Sequence, residues 1–119
     1  LTFNKAAFDF VREVKNRHRV VYLISGSHQI LVDQMSKHLN IFFESFGTKD
    51  DFNMVGINKV HFIKENLKIN DFDYLGNSHK DLPIWKYCKR VIYTNVSQEL
   101  KKAIKSLGFE HKEIPANFS

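Results

Sequence analysis

Hydrophobic positions along the chain follow two alternating periods. In some segments they recur every three or four residues, as in an amphipathic helix, and in others they form short β-branched and aromatic runs, as in a strand buried on both faces. The first pattern predicts helices over residues 3–16, 27–39, 56–67 and 97–107, and a short helix within SHKDLPIWKYC. The second predicts strands over residues 19–25, 41–46, 72–76 and 90–95, with an edge strand in the tail 109–114.

Strands and helices that alternate at this spacing are joined by right-handed parallel crossovers. The predicted fold is therefore α/β, a three-layer, Rossmann-like parallel sheet with helices on both faces. Thr2 or Asn4 is suited to cap the first helix, and Ser97 the last. Ligands bind such sheets beyond the carboxyl ends of the strands. This rule selects three places, at residues 25–27, 76–81 and 95.

Composition and charge exclude some classes of protein and of partner. The 119 residues fit one domain, and 43% hydrophobic residues exclude wholesale disorder. The net charge of +5 and the pI near 9.4 suit anionic partners. However, the basic residues are scattered along the sequence. The aromatic residues lie in apolar segments (42–43, 62 and 72), where we expect them to be in the core. For both reasons we expect no nucleic-acid partner. The single cysteine, Cys88, favours a reducing compartment, and no apolar run approaches the roughly 18 residues of a membrane span; we expect a cytoplasmic location.

The Ser-Gly-Ser segment at residues 25–27 places a hydroxyl group and small residues between a predicted strand and a helix N-terminus. The free N–H groups and the dipole at a helix N-terminus suit a phosphoryl group. A turn between a strand and a helix also needs small residues for its geometry alone, so both interpretations stand. On the following helix, His28, Asp33 and His38 are interpreted as satisfied surface side chains, and their spacing does not fit a zinc site.

Two further segments carry candidate ligands. Lys59 lies near a predicted helix N-terminus, where the dipole disfavours a cation, so it is either a phosphate contact or an ordinary surface lysine. Asn77 and Asp81 are presented four residues apart after a predicted strand. Their oxygens suit Mg²⁺. Alternatively, Asn77 or Ser78 caps the short helix that follows, with Asp81 in its first turn.

Taken in order, these segments resemble the later motifs of the haloacid dehalogenase superfamily of phosphohydrolases. VVYLIS followed by Gly26 is similar to the second motif, which implies that Ser25, together with Gly26, binds a phosphoryl group. GINK is similar to the third motif, which implies that Lys59 steadies the nucleophile and the phosphoryl charge. YLGNSHKDLPIW is similar to the fourth motif, whose acids bind Mg²⁺, here at Asn77 and Asp81.

The resemblance is closest to the domain joined to ubiquinone-type (UbiA) membrane prenyltransferases, which commonly reads FDYxGNSxxDxxxW. Residues 72–85 are similar to this pattern almost throughout, and the resemblance covers roughly residues 1–105. It implies that the intact protein is a Mg²⁺-dependent phosphatase or phosphotransferase that acts through an aspartyl-phosphate on a small phosphorylated substrate. A prenyltransferase domain elsewhere in the full protein would place it at the cytoplasmic face of the membrane. The alternative is a non-catalytic docking or regulatory module associated with such a prenyltransferase.

The sequence departs from the family pattern in two places. The first motif, an Asp-x-Asp after an apolar strand that supplies the nucleophile, is absent, because Asp71-Phe-Asp73 precedes its predicted strand. Residues 1–119 are therefore expected to be a partial core domain that is inactive by itself. Asn77 stands where most members have aspartate, so Mg²⁺ is expected to bind weakly or not at all.

The missing first strand has a structural consequence. In the superfamily it lies mid-sheet, between the strands that carry the second and fourth motifs. Without it two strand edges are unpaired, each a row of open backbone donors and acceptors. We expect the chain to close this gap directly, to borrow a strand from a partner as a homo-oligomer, or to be marginally stable alone.

Overall fold

The computed structural model describes residues 4–116, and its elements alternate along the chain as helices and strands. The helices are α1 (Lys5–Asn16), α2 (Gln29–Leu39), α3 (Ile57–His61), α4 (Leu82–Trp85) and α5 (Gln98–Ser106). The strands are β1 (Tyr22–His28), β2 (Glu44–Thr48), β3 (Asp73–Gly76), β4 (Arg90–Thr94) and β5 (Glu110–Ile114). A π-helical segment (Phe62–Asn66) continues α3, and a 3₁₀ turn (His79–Asp81) precedes α4. Over the described range, no helix has both the length and the apolar character needed to cross a bilayer.

Every strand is parallel to its neighbour, but the strands form two separate sheets. β1 pairs with β2 in one sheet, and β4 lies between β3 and β5 in the other. The predicted α/β, Rossmann-like class, with parallel strands flanked by helices, is confirmed. Within residues 4–116 β1 and β3 are not paired. Of the three alternatives expected for the gap, direct closure is therefore wrong, and the borrowed strand and marginal stability stay predictions.

Element boundaries near the N-terminus differ from the predicted ones. Asn4 caps α1, since its side chain accepts a hydrogen bond from the backbone N–H of Ala7 at 3.2 Å; the alternative cap Thr2 and the predicted first helical residue Phe3 lie outside the described residues. β1 begins and ends three residues later than predicted, and α2 begins two residues later. The shift arises because β1 stays paired with β2 as far as His28 opposite Thr48, beyond a register irregularity after Ile24.

Two hydrophobic clusters hold the elements together. One contains Trp85 at the end of α4, Cys88 just after it, Val91 and Tyr93 on β4, and Leu100 and Ile104 on α5. The other contains Val60, Ile63 and Ile84, against which Ile24 of β1 and Tyr74 of β3 pack. The two sheets therefore share a core cluster without sharing a strand pair.

The expectation that the aromatic residues lie in the core is wrong for Phe43. Its side chain is 65% exposed and packs edge-on against Tyr22, with ring centroids 5.8 Å apart. Phe43 lies outside β2 because that strand begins at Glu44, later than predicted. It therefore packs against one β1 side chain and stays mostly exposed instead of entering the core.

Candidate functional site

Three side chains form a hydrogen-bonded chain near the carboxyl end of β3. Lys59 Nζ donates to Tyr74 Oη at 3.0 Å, and Tyr74 donates to Asp81 Oδ1 at 2.9 Å. Each residue comes from a different element: Lys59 from α3, Tyr74 from β3 and Asp81 from the 3₁₀ turn. The structure thus brings together two of the predicted site residues through a tyrosine that the sequence analysis did not single out. Its only sequence signal is its place in FDYLGNS, because spacing alone does not show which partners a hydroxyl group reaches.

Asp81 also organises the turn in which it lies. Its Oδ2 atom accepts hydrogen bonds from the backbone N–H groups of Asn77 at 2.8 Å and Ser78 at 3.1 Å. The Ser78 hydroxyl oxygen accepts from the N–H of Lys80 at 3.3 Å and, in return, from the N–H of Asp81, which completes a capping box. The capping interpretation is confirmed, with Ser78 as the cap. A Cβ atom at Gly76 would lie 2.5 Å from the Asp81 carboxyl carbon, so this turn requires glycine there.

Burial shifts the pKa values of two of the three hydrogen-bonded side chains. Burial lowers the pKa of Lys59, and the Asp81 carboxylate partly opposes this shift. Burial raises the pKa of Tyr74 above its usual value, and the nearby Asp81 charge and the hydrogen bond to it raise it further. Tyr74 therefore remains a donor to Asp81 and an acceptor from Lys59. An ammonium group has three N–H donors, and those of Lys59 that do not face Tyr74 have no hydrogen-bond partner within the described range.

Ser25 lies inside β1 and not in a turn directly before α2, so its predicted placement is wrong. The strand continues to His28 because of its pairing with β2. The Ser25 hydroxyl oxygen accepts a hydrogen bond from the backbone N–H of Ser27 at 3.1 Å. Its own proton has no acceptor among residues 4–116, so this hydroxyl group is available as a donor.

Gly26 brings the end of β1 close to the loop before α3. A Cβ atom at Gly26 would lie 2.8 Å from Val55 Cγ1, so a larger residue would push the two segments apart. Ile24, just before Ser25, packs against the cluster that contains Val60, just after Lys59. Ser25 and Lys59 therefore lie on adjoining elements, although no hydrogen bond joins them in the described part of the chain.

Of the three candidate side chains beside and on α2, those of His28 and Asp33 are satisfied locally, as predicted. His28 caps this helix, with its Nδ1 atom accepting from the N–H of Ile30 at 3.2 Å. Asp33 Oδ1 accepts from the Gln29 side chain at 2.8 Å, and His38 is exposed. Among residues 4–116 there is no group of three or more His, Cys, Asp or Glu side chains that could hold a metal ion.

Asn77 and Asp81 do not form a complete Mg²⁺ site by themselves. Mg²⁺ takes six oxygen ligands, usually including one or two carboxylates. The Asp81 carboxylate already accepts three hydrogen bonds, which occupy most of its roughly four lone-pair positions. Asn77 is exposed and offers only a neutral amide oxygen. A Mg²⁺ ion at this edge would need acidic ligands from outside the described residues.

The fold and this edge define the class as an α/β protein with polar groups gathered at the carboxyl side of its parallel strands. No family model matches the sequence. "Uncharacterized protein y4nM" of Sinorhizobium fredii is 24% identical over 114 residues, which cover 96% of this chain and 22% of that protein.

A solved structure supports the fold. The crystal structure of a protein with unknown function from Bordetella pertussis Tohama I has a TM-score of 0.75 at 15% sequence identity. The match covers 89% of this chain and 56% of that chain. At this identity the likeness shows the fold alone. The chain thus spans about a fifth of the curated relative and just over half of the solved one.

Proposed function

We propose that these residues belong to a Mg²⁺-dependent phosphatase or phosphotransferase of the haloacid dehalogenase type, and that residues 1–119 are inactive by themselves. The observation that supports the proposal best is the Lys59–Tyr74–Asp81 chain. It holds a half-buried lysine in one orientation, with N–H groups left over for an anion. A fixed cation at the carboxyl edge of a parallel sheet is suited to a phosphoryl group.

The proposed reaction has two steps. An aspartate from outside these residues would attack the phosphorus atom of a small phosphoester, the bond from phosphorus to the ester oxygen would break, and the leaving oxygen would take a proton from water to give the alcohol. Water, or an acceptor alcohol in a phosphotransferase, then attacks the aspartyl-phosphate and frees the carboxylate. Mg²⁺, held by Asn77, Asp81 and that aspartate, would neutralise phosphoryl charge when bound.

Lys59 and Ser25 would act on the phosphoryl oxygens. Lys59 is partly buried, and a charge that is shielded from water interacts more strongly with an anion than it does in bulk water. Tyr74 would keep the ammonium group in place during both steps. The Ser25 hydroxyl group, whose oxygen already accepts from Ser27 N–H, would donate its proton to a phosphoryl oxygen.

A second candidate is a non-catalytic docking or regulatory module beside a membrane prenyltransferase domain. One observation favours it. Asp81 takes part in a capping box and Gly76 lies close to the Asp81 carboxyl group, so folding alone accounts for both residues. In that case the site residues serve the turn, and Lys59 is an ordinary partly buried lysine.

Turnover of p-nitrophenyl phosphate by the full polypeptide, with Mg²⁺, separates the two candidates. We expect Lys59→Ala to lower kcat by about 10²- to 10³-fold, as the loss of one donor to a transition-state oxyanion does. The matched control is Lys64→Ala, which removes a lysine from the following helical segment that lies over the Tyr87 ring instead. The module is favoured if Lys59→Ala matches the control, or if the wild-type polypeptide shows no turnover.

A further inference from the structure

We propose that the amino edge of the two sheets, opposite the candidate site, is a docking surface for an anionic lipid membrane. The amino edge consists of the segments that lead into the five strands, at residues 17–21, 40–43, 67–72, 86–89 and 107–109. The inference rests on the distribution of charge and of exposed aromatic side chains over the fold, and it does not depend on the proposed phosphatase function.

The strands of both sheets begin on one side of the molecule. Asp73, the first residue of β3, contacts Arg19 of the segment before β1 at 3.4 Å and Arg90 of β4 at 3.5 Å. The first residues of neighbouring strands are also paired in register, Tyr22 with Glu44 in one sheet, and Asp73 with Arg90 and Arg90 with Glu110 in the other. Segments that are far apart in the sequence therefore lie side by side at the amino edge.

The fold gathers basic residues at this edge, although they are scattered along the sequence. The five segments contain five Lys or Arg residues and one acidic residue, Asp71. The segments that follow β2, β3 and β4 at the opposite edge (49–56, 77–81 and 95–97) contain two lysines and three aspartates. The positive charge is therefore concentrated on the side away from the candidate site.

The helices add to this charge. The helices that run back to the amino edge between strands end there with a basic residue in the last turn, and the exposed ones are Lys15 of α1, Lys37 of α2 and Lys105 of α5. They outnumber the two glutamates that begin outer strands, Glu44 and Glu110. The amino edge thus keeps an excess of positive charge when these acidic residues are included.

Three lysines of the amino edge have free ammonium groups. Lys68, Lys86 and Lys89 are exposed, and none of them pairs with a carboxylate among residues 4–116. Arg17 and Arg19 differ, since each contacts a carboxylate of the chain. The negative surface potential of an anionic membrane attracts lysines of this kind. The three ammonium groups are therefore available for the phosphates of lipid headgroups.

Exposed aromatic side chains lie among these lysines. Phe43 directly precedes β2 and is 65% exposed, Tyr87 lies in the segment before β4 and is 48% exposed, and Phe109 directly precedes β5 and is 36% exposed. Proteins that bind a membrane surface combine such apolar side chains with Lys or Arg, because the rings enter the boundary between headgroups and acyl chains while the charges stay in the headgroup layer.

The positions of the rings favour a membrane over a nucleic acid. Bases stack on successive free ring faces along one groove. Phe43 and Phe109 instead lie at the outermost strands of different sheets, and Lys64 Nζ lies 4.7 Å from the centroid of the Tyr87 ring and covers one of its faces. A broad, flat surface reaches all three rings at once, whereas a single nucleic-acid strand does not.

Cosedimentation of the 119-residue chain with lipid vesicles tests the inference. We expect binding to vesicles of phosphatidylcholine with about one third phosphatidylglycerol, a loss of about tenfold or more when NaCl is raised from about 0.1 M to about 0.5 M, and little binding to phosphatidylcholine alone. The triple variant Lys68→Gln, Lys86→Gln, Lys89→Gln should bind the anionic vesicles about 100-fold more weakly.

The matched control removes the same charge from the opposite edge through Lys5→Gln, Lys49→Gln and Lys80→Gln. Lys5 belongs to that edge because the neighbouring Asn4 donates to Thr94 Oγ1 at the end of β4, at 2.8 Å. We expect this variant to bind the anionic vesicles within about threefold of the wild type. If a triple variant does not fold, as seen by circular dichroism, Lys89→Gln and Lys49→Gln form the same comparison with one charge each.

Four results would overturn the inference. The first is a wild-type chain that does not bind the anionic vesicles, and the second is equal binding to both kinds of vesicle. The third is an equal loss of binding in the amino-edge variant and its control. The fourth is tighter binding to a single-stranded oligonucleotide than to the anionic vesicles at the same salt concentration, since a nucleic acid would then be the partner.

Discussion

Asp81 joins three separate parts of the chain through one carboxylate. It accepts two backbone N–H groups of its own turn and the Tyr74 hydroxyl, and Tyr74 in turn accepts from Lys59. A buried carboxylate is costly unless it is hydrogen-bonded, and here the donors that satisfy it also orient the lysine. Asp81 therefore holds in place both its own turn and the candidate site.

Gly76 is the position where this arrangement is most sensitive to substitution. Gly76→Ala would place a Cβ atom 2.5 Å from the Asp81 carboxyl group, so the carboxylate must move and its hydrogen bonds must weaken. We expect the free energy of unfolding to fall by about 2 kcal/mol or more, as measured by urea denaturation.

Gly108→Ala is the control for this substitution. Gly108 has a φ angle of +73° with no atom within 4 Å of an added Cβ, so the cost there is only that of a left-handed backbone, about 1 kcal/mol. If Gly76→Ala proves as mild as Gly108→Ala, the contact between Gly76 and Asp81 does not constrain the turn.

At the scale of elements, the sequence predicts the second half of the chain well. β4, α5 and β5 lie within one or two residues of their predicted bounds, because their apolar patterns are unbroken and local residues mark the ends of α5. Ser97 accepts from the N–H of Leu100 at its start, and Gly108, beyond its end, has a positive φ angle. Such signals act within a few residues and are visible in the sequence.

The first half was less predictable because its boundaries depend on distant contacts. The end of β1 is set by pairing with β2, where Thr48 Oγ1 donates to Gly26 O at 2.8 Å, and this pairing moved Ser25 into the strand. The hydrogen bonds of Tyr74 depend on the packing of α3 against β3. Ser25, Lys59, Asn77 and Asp81 could be named as candidates from motif order, but the tyrosine that connects two of them could not.

We predict that stability depends on pH because of one buried thiol group at the junction of α4 and β4. Cys88 lies there in the larger hydrophobic cluster, and burial raises the pKa of its thiol from 9.0 to about 11. Between these values the unfolded chain releases the thiol proton while the folded chain retains it. The free energy of unfolding should therefore fall as pH rises from 9 toward 11.

Comparison with Cys88→Ala isolates this effect. Tyr74 and Lys59 also have shifted pKa values, but both residues are present in both proteins. The raised pKa of Tyr74 lowers stability above pH 10, and the lowered pKa of Lys59 has the opposite effect below pH 10.5. Urea denaturation at pH 8 to 10.5 should show a steeper loss of stability in the wild type than in Cys88→Ala. Parallel curves would mean that the thiol is not buried as described.

At the scale of the whole molecule, two parallel sheets share one hydrophobic cluster and leave a strand-sized gap between them. Ser25 lies in the sheet on one side of this gap, while Tyr74 and Asn77 lie on and after the strand on the other. The residues of the candidate site therefore come from both sides of the gap.

In the proposed site, Ser25 and Lys59 come from different elements and hold one phosphoryl group. Titration of the 119-residue chain with inorganic phosphate, followed by NMR at the Ser25 and Gly26 amides and at Lys59 Nζ, tests it most directly. We predict that all three signals follow a single binding curve with one Kd, and that the exposed Lys37 does not respond on that curve. Signals of Ser25 and Lys59 that follow different curves, or that stay unchanged, would contradict the claim.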